Sequence, residues 1–245
     1  MPRLVILSDI HANLSALKRC LEDVSNRYEP DGYAILGDTI NYGMEPNEVV
    51  DMISKLNKLV IANIWGNHEK ALFDGDTTHF SKERGKEILK FTGRILTSSS
   101  IEYLKENLSR SGFQEIAIDE AKFLFIHGSL SDPFWGKMNA EEMSDIRYSK
   151  YDFVISGHSH IPNLSEVYYP DENRPEYRNK KRTIFLNPGS VGQPRNHNPK
   201  AQYLYIDTET ETLHFNAIEY DVEYERSLYP DNIDPFYKNR LIKGI

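Results

Sequence analysis

Five short motifs combine histidine with carboxylate or amide side chains, and each of them follows an apolar run. In chain order the motifs are SDIH, GD, GNHE, FIH and GHSH. They contain seven side chains that can bind a metal ion, namely Asp9, His11, Asp38, Asn67, His127, His158 and His160. Imidazole nitrogens combined with oxygen ligands suit Mn²⁺, Fe²⁺, Co²⁺, Ni²⁺ or Zn²⁺ better than Mg²⁺ or Ca²⁺. The motifs therefore predict a site for a metal of the first group.

The number of these side chains indicates two metal ions rather than one. A structural zinc ion takes four ligands, whereas two ions that share a bridging carboxylate would use all seven. Paired ions of this kind lie about 3.5–4 Å apart and stabilise the attacking and leaving oxygens of an in-line displacement at phosphorus. Each motif alone is also compatible with an ordinary strand-end cap or turn, so the prediction depends on the ordered set.

Alternating strand and helix signals in the first half of the chain predict how the motifs are positioned. Strands are expected over 3–8, 33–37 and 59–66, and helices with an apolar 3.6-residue period over 13–28 and 46–56. Short apolar strands connected by helices indicate a parallel sheet that is buried on both faces. Ligands of open α/β sheets bind outside the carboxyl ends of the strands, where these motifs lie.

The second half of the chain predicts a second sheet. A hairpin is expected over 113–127, a helix over 139–149 and a strand over 151–157. Three further strands, joined by turns, begin near 182, 201 and 212, and the charged stretch 168–182 is expected to be a loop or hairpin.

These elements predict one α/β domain over residues 1–245. It has two sheets with helices outside, and the second sheet is expected to be the more antiparallel one. A polar, helix-rich insert is expected at about 73–108, and a surface tail at about 221–245.

Composition excludes several classes of function. The 245 residues carry a net charge of −8, so the basic face of a nucleic-acid binder is not expected, sequence-specific or not. No apolar stretch approaches the roughly 20 residues of a membrane span, and Asp9 comes too early for a signal peptide. We therefore expect a cytoplasmic protein without a membrane partner. A small anionic substrate fits this charge, because bound cations supply positive charge locally.

The ordered motifs resemble those of the calcineurin-like metallophosphoesterase superfamily. The stretches SDIHANLSAL, PNEVVDMI, HGSLSDPFW and NPGSVGQPRNHNPKAQYLYID further resemble its bacterial and archaeal predicted-phosphodiesterase branch, which is related to YfcE and to diadenosine-tetraphosphate hydrolases. The resemblance spans residues 3–207. It implies the metallo-dependent phosphatase fold, a four-layer αββα sandwich of two mixed β-sheets flanked by helices.

The resemblance also implies a role for each motif residue. One metal would be bound by Asp9, His11 and His160, the other by Asn67, His127 and His158, and Asp38 would bridge both. The implied cofactors are two divalent ions, with Mn²⁺ first and Fe, Ni, Co or Zn as alternatives. A metal-bridging hydroxide would attack phosphorus, and His68 would act as general acid or stabilise the transition state.

The function implied is hydrolysis of phosphodiester or phosphoanhydride bonds in small, nucleotide-like substrates. Arg195 could contact a phosphate oxygen or belong to a turn. Phe134 and Trp135 could stack on a base or pack in the core. A Ser/Thr-type protein phosphomonoesterase and a non-catalytic scaffold on the same fold are the alternatives. Exposed aromatic strands could mediate a homo-oligomer.

Overall fold

A computed structural model describes residues 3–56 and 59–245 of the protein. Its strands are β1 (Arg3–Leu7), β2 (Gly32–Ile35), β3 (Val60–Asn63), β4 (Phe113–Ile118), β5 (Ala121–Ile126), β6 (Phe153–Ser156), β7 (Asn163–Pro170), β8 (Lys180–Asn187), β9 (Ala201–Asp207) and β10 (Thr212–Ile218). Its α-helices are α1 (Leu14–Arg27), α2 (Pro46–Lys55), α3 (Asn67–Asp74), α4 (Glu83–Ile95), α5 (Ser98–Glu106), α6 (Ala140–Met143), α7 (Val222–Ser227) and α8 (Phe236–Lys243).

Two five-stranded sheets form the centre of the fold. The first has the order β10-β9-β1-β2-β3, and its strands β1, β2 and β3 are parallel. The second has the order β4-β5-β6-β8-β7, and its strands β5, β6 and β8 are parallel. Because the parallel strands of each sheet run between helical or loop crossovers, their carboxyl ends lie at one edge of that sheet.

Alternating side chains of the strands build a core between the sheets and a second core under the helices. Leu4 and Ile6 of β1 pack with Phe123 of β5 in the layer between the sheets. Val5 points to the other face of the sheet and packs with Leu17 of α1. This alternation follows from the two-residue period of a strand.

The outer face of the second sheet is covered in the same way. Tyr148, in a 3-10 helix over Ile146–Lys150, packs with Phe185 of β8 and Val154 of β6. The layers therefore follow the order helix, sheet, sheet, helix, and the predicted sandwich of two mixed sheets is confirmed.

The prediction that the second sheet is the more antiparallel one is wrong. Each sheet has two parallel and two antiparallel strand pairings. The strand β7, which was not predicted, pairs with β8 in a long hairpin, and most of the predicted 168–182 excursion belongs to the tip of that hairpin. Most side chains of β7 are exposed or half-buried, so its sequence shows no clear apolar alternation.

Two strands that are consecutive in sequence belong to different sheets. β8 lies in the second sheet and β9 in the first, so the loop over 188–200 crosses between the sheets rather than forming a turn within one. In this loop the N–H of Val191 donates to the carbonyl of Ser8, and Ser190 donates through its hydroxyl to the carbonyl of Asp9. The loop therefore lies against the residues that follow β1.

Helices α3, α4 and α5 occupy most of the stretch between β3 and β4, where the sequence predicts a helical insert. The C-terminal segment, expected as a surface tail, buries side chains of its own. Tyr229, Ile233, Tyr237 and Leu241 form an apolar cluster with Ile88 of α4. Residues 221–245 therefore pack against the helical stretch.

Among the helices of the described residues, none is both long and apolar enough to cross a membrane.

Candidate metal centre

The predicted ligands converge at the edge where the carboxyl ends of the parallel strands meet. Six of the seven side chains are at most 2% exposed, and the seventh, His158, is half-buried. Five of them have left-handed backbone conformations, with φ values of 52° for Asp9, 49° for His11, 51° for Asp38, 64° for His158 and 59° for His160. This conformation costs a residue other than glycine about 1–3 kcal/mol and is concentrated at functional sites.

Four of the side chains form a first group. The ligand atoms of Asp9, His11, Asp38 and His160 all lie within 4.8 Å of one another. The Nε2 atoms of His11 and His160 are 3.2 Å apart, and Oδ1 of Asp9 lies 3.2 Å from Nε2 of His160. Oδ2 of Asp38 lies 3.6 Å from Nε2 of His11.

A second group lies on the other side of Asp38. Its members Asp38, His127 and His158 also have ligand atoms within 4.8 Å of one another. Oδ2 of Asp38 is 3.5 Å from Nε2 of His127. The amide oxygen of Asn67 lies 3.0 Å from that nitrogen and 2.9 Å from Nδ1 of His158. Asp38 is therefore common to both groups.

Backbone carbonyls orient three of the imidazoles. The Nδ1 atoms of His11, His127 and His160 lie 3.2, 2.7 and 2.6 Å from carbonyl oxygens of the 36–40 segment or of Gln193. An N–H at Nδ1 that donates to a carbonyl leaves the Nε2 lone pair directed at the centre, the arrangement typical of metal-binding histidines.

The donor atoms at the centre fit bound cations. Oδ1 of Asp9 is buried and accepts no hydrogen bond from the described residues, although it faces the Nε2 lone pair of His160. Two acceptors at this separation repel each other unless a cation or proton lies between them. Nitrogen and oxygen donors without thiolates also match the metals favoured by the sequence.

Burial and neighbouring charges set the protonation states of the centre. Burial, followed by repulsion from His127, lowers the pKa of His158 to about 3, and burial lowers the pKa of His11 well below its usual value. These imidazoles are therefore neutral ligands at pH 7. Burial opposes protonation of His127 as well, but the charge of Asp38 raises its pKa to about 9. A cation that binds there would displace this proton.

His68 has the opposite hydrogen-bonding arrangement. Its Nδ1 lies 2.6 Å from the amide nitrogen of Asn41, whose oxygen accepts from the Thr92 hydroxyl at 3.1 Å. Nδ1 of His68 is therefore an acceptor, and the ring proton is on Nε2, 3.8 Å from Oδ2 of Asp38. His68 therefore directs an N–H, and not a lone pair, toward Asp38.

Glu69 and Gly66 fix the loop that carries Asp38, and neither was predicted as a site residue. The Glu69 carboxylate accepts from the backbone N–H groups of Asp38, Ile40 and Gly66 at 2.9, 3.1 and 2.8 Å. A Cβ on Gly66 would lie 2.1 Å from Oδ1 of Asp38, so only glycine fits there. The Gly-x-x-Glu spacing of a capping box was the sequence signal for this arrangement.

Comparison with known proteins identifies the family. Residues 3–211 match the calcineurin-like phosphoesterase superfamily domain. The chain belongs to the calcineurin-like phosphoesterase superfamily. The predicted superfamily is thereby confirmed. An uncharacterized protein of Methanocaldococcus jannaschii is 30% identical to this phosphoesterase-family chain over 246 residues, which cover 98% of each protein.

Solved structures share the fold of this phosphoesterase-family chain. A metallophosphoesterase from Sphaerobacter thermophilus matches with a TM-score of 0.76, and a hypothetical protein from Pyrococcus horikoshii OT3 with 0.81. Both are 23% identical in sequence, and the matches cover 100% of this chain and 99% of each structure.

The three residues predicted to bind substrate lie in different surroundings in this phosphoesterase-family chain. Arg195 donates through its backbone N–H to the carbonyl of His160, next to the first ligand group. The Trp135 ring lies 6.1 Å from that of His158. Phe134 instead packs with the cluster around Trp65, as in the core-packing interpretation.

Proposed function

We propose that the protein is a dinuclear metal-dependent phosphoesterase that hydrolyses phosphodiester or phosphoanhydride bonds of small, nucleotide-like substrates. One observation carries the proposal: two buried groups of metal-competent side chains share the carboxylate of Asp38. Such a shared carboxylate is how two-metal phosphoesterase sites hold their ions close together.

Two divalent cations fit these donors. Asp9, His11 and His160 would hold one ion, Asn67, His127 and His158 would hold the other, and Asp38 would contact both. Mn²⁺ is our first choice, with Fe, Ni, Co and Zn as alternatives. Bound cations of this kind supply a nucleophilic water at neutral pH and positive charge for phosphoryl oxygens.

His68 holds a proton beside this centre. The amide of Asn41 keeps that proton on Nε2, and the backbone N–H of His68 donates to Oδ1 of Asp38 at 2.9 Å. We assign Nε2–H as the donor to the leaving oxygen or to a phosphoryl oxygen of the transition state. General acids contribute about 10²–10⁴-fold to such reactions.

Aromatic rings adjoin the second ligand group. Trp135 stacks on His79 with the ring centroids 4.7 Å apart, and Phe80 lies between Trp135, at 5.7 Å, and His68, at 5.4 Å. Trp135 is half-buried, so part of this aromatic surface faces solvent. A planar base or aryl group of a substrate could stack there, which supports nucleotide-like substrates.

The non-catalytic scaffold would be expected to lack ligands or the proton donor, and this chain retains both.

Hydrolysis of bis-p-nitrophenyl phosphate by the Mn²⁺-loaded protein tests the proposal. His68→Gln should reduce kcat by about 10²–10⁴-fold while the protein still binds two ions per chain by elemental analysis. Asp38→Asn should lower both kcat and metal content.

His214→Gln is the matched control, because His214 is exposed and its ring makes tilted contacts with Tyr28 and Tyr205 instead. It should leave activity unchanged. Absence of hydrolysis with every divalent metal, or full activity in both Asp38→Asn and His68→Gln, would refute the proposal. A panel of diadenosine polyphosphates, cyclic nucleotides, glycerophosphodiesters and phosphopeptides would then define the substrate and separate diesterase from protein phosphatase activity.

A further inference from the structure

Helix α8 buries an arginine next to the candidate metal centre. Arg240 is only 9% exposed, and its Cζ lies 5.9 Å from the ring centroid of Tyr42 and 5.0 Å from that of Phe236. Its Nε donates to the main-chain oxygen of Ile245, which uses one of the five N–H groups of a guanidinium. The remaining N–H groups have no protein acceptor within the described ranges.

Tyr42 connects this arginine to the catalytic residues. The Tyr42 ring lies 4.6 Å from the ring of His11 and 4.6 Å from that of His68. On its other side, Tyr42 stacks on Tyr237 of α8 at 5.2 Å. The segment that begins at residue 221 therefore reaches the surroundings of His68.

A second arginine lies at the same place. Arg195 interacts with the Tyr42 hydroxyl, and its positive charge acts on the pKa of both His68 and His160. Its Nη2 lies 3.4 Å from the side-chain oxygen of Gln193, while its Nε is buried and has no hydrogen-bond partner in the part of the chain that the structure describes.

Both guanidiniums adjoin Tyr42, and the positive charge of each opposes that of the other. Burial, followed by the positive charge of Arg195, lowers the pKa of Arg240 to about 10. Within residues 3–56 and 59–245, neither arginine forms an ion pair with an Asp or Glu. Buried like charges with free donors are costly unless an anion joins them. Guanidiniums bind phosphate well because their N–H groups match two of its oxygens.

We propose that Arg240 and Arg195 together bind a phosphoryl group of the substrate beside His68, so that the C-terminal segment completes the substrate site. The proposal rests on the phosphoesterase function and deepens it. One buried guanidinium, that of Arg240, and one half-buried guanidinium, that of Arg195, adjoin a centre that would itself be positive once loaded with metal, so the site favours a substrate with more charge than one diester phosphate. Two adjacent phosphoryl groups, as in a phosphoanhydride, provide that charge.

Binding of a non-hydrolysable diphosphonate tests the proposal without catalysis. The probe is methylenediphosphonate, with methylphosphonate as the single-phosphoryl comparison, and both are titrated calorimetrically into Mn²⁺-loaded protein freed of excess metal. Arg240→Gln and Arg195→Gln should each weaken diphosphonate binding by about tenfold or more, since hydrogen bonds to charged groups are strong. Methylphosphonate binding should weaken less.

A matched control lies on the same helix. Lys243 is exposed near the end of α8, so Lys243→Gln removes one positive charge without changing the arginine pair, and diphosphonate binding should stay within twofold. Arg240→Lys keeps the charge but loses the planar donor group, and it should give an intermediate loss if folding is intact. Thermal melting without ligand verifies that each variant is folded.

The outcomes separate this inference from the proposed function. If folded Arg240→Gln or Arg240→Lys protein binds methylenediphosphonate within twofold of the wild type, Arg240 is not a phosphate ligand, whatever the catalytic activity. If the arginine variants lose diphosphonate binding although no preparation hydrolyses any phosphoester, the anion site stands and the phosphoesterase function fails.

Discussion

The buried carboxyl group of Glu225 in α7 should make the free energy of unfolding depend on pH. One substitution can measure this dependence. The side chain is 1% exposed, accepts from the backbone N–H of Ser15 at 2.8 Å and contacts the carboxyl group of Glu45. Burial, opposed in part by the Ser15 hydrogen bond and reinforced by Glu45, raises the pKa of Glu225 from 4.5 to about 8. Glu225 is therefore protonated in the folded protein at neutral pH.

A carboxyl group with a raised pKa holds its proton more tightly in the folded state than in the unfolded state. Its contribution to stability is complete below the pKa of the unfolded chain and is lost as the pH rises through about 8. Each unit of this shift corresponds to about 1.4 kcal/mol, which gives an upper limit of about 5 kcal/mol. Relaxation around buried charges reduces such penalties, so we expect about 3 kcal/mol.

The substitution Glu225→Gln removes the titration while keeping an acceptor for Ser15 and adding a donor for Glu45. We therefore expect the variant to gain stability relative to the wild type as the pH rises, by about 3 kcal/mol between pH 5 and pH 9. Urea unfolding of metal-free protein at several pH values measures this difference without a contribution from metal binding.

The exposed Glu48 provides the control, because Glu48→Gln should change the free energy of unfolding by less than about 0.5 kcal/mol at each pH. If the free energies of unfolding of Glu225→Gln and wild type differ by the same amount from pH 5 to pH 9, the pKa of Glu225 is not raised in the folded protein.

Three further predictions concern the candidate metal centre and the aromatic surface beside it. Gly66→Ala should abolish metal binding and lower the melting temperature, because its Cβ would lie 2.1 Å from Oδ1 of Asp38. The control is Gly75→Ala, which should keep the metals bound because no atom lies within 4 Å of its Cβ. Glu69→Gln should lower metal affinity by about 10–100-fold in a competition titration, since residues that orient ligands contribute that much; an unchanged affinity would show that Glu69 does not position Asp38. Trp135→Ala should lower kcat/KM for a nucleoside phosphoester by about 5–100-fold if a base stacks there, with little change for an alkyl phosphodiester, and an equal loss on both would exclude stacking.

The convergence of the candidate ligands could be predicted from sequence because local rules determine where these residues lie. Each motif follows an apolar run, and a run that forms a parallel strand delivers the next residues to the carboxyl edge of its sheet. Asp9, Asp38 and His127 illustrate this, since each lies within three residues of the end of β1, β2 or β5. The order of the strands within the sheets was not needed for that prediction.

Contacts between distant segments were not predictable in this way. Asn41 orients His68, and Tyr42 lies between His68 and α8, but neither belongs to a metal-ligand motif. Arg240 follows Tyr42 by 198 residues in sequence, and its helix is short. Periodicity describes which face of a helix is buried, and it does not identify the partner of that face.

The error about the second sheet has the same origin. Strand β8 was identified from its apolar residues, but its partner β7 lies at the edge of the sheet, is mostly exposed or half-buried and shows no clear apolar alternation. Edge strands gain their backbone hydrogen bonds from one neighbour, so little apolar surface is required of them. The expected excess of antiparallel pairing came from β9 and β10, which follow β8 in sequence but pair antiparallel in the first sheet.

Backbone strain and an unpaired hydrogen-bond acceptor occur together at this edge of the fold. The left-handed backbone of Asp9 and Asp38 is costly, and Oδ1 of Asp9 is buried without a donor in the described chain. The packed strands β1 and β2 provide the stability that tolerates these costs, since their side chains are almost completely buried. A fold would not retain such residues for packing alone, because uncharged residues with ordinary backbone angles would be more stable there. Their cost is explained when cations neutralise the carboxylates and occupy the space between the imidazoles.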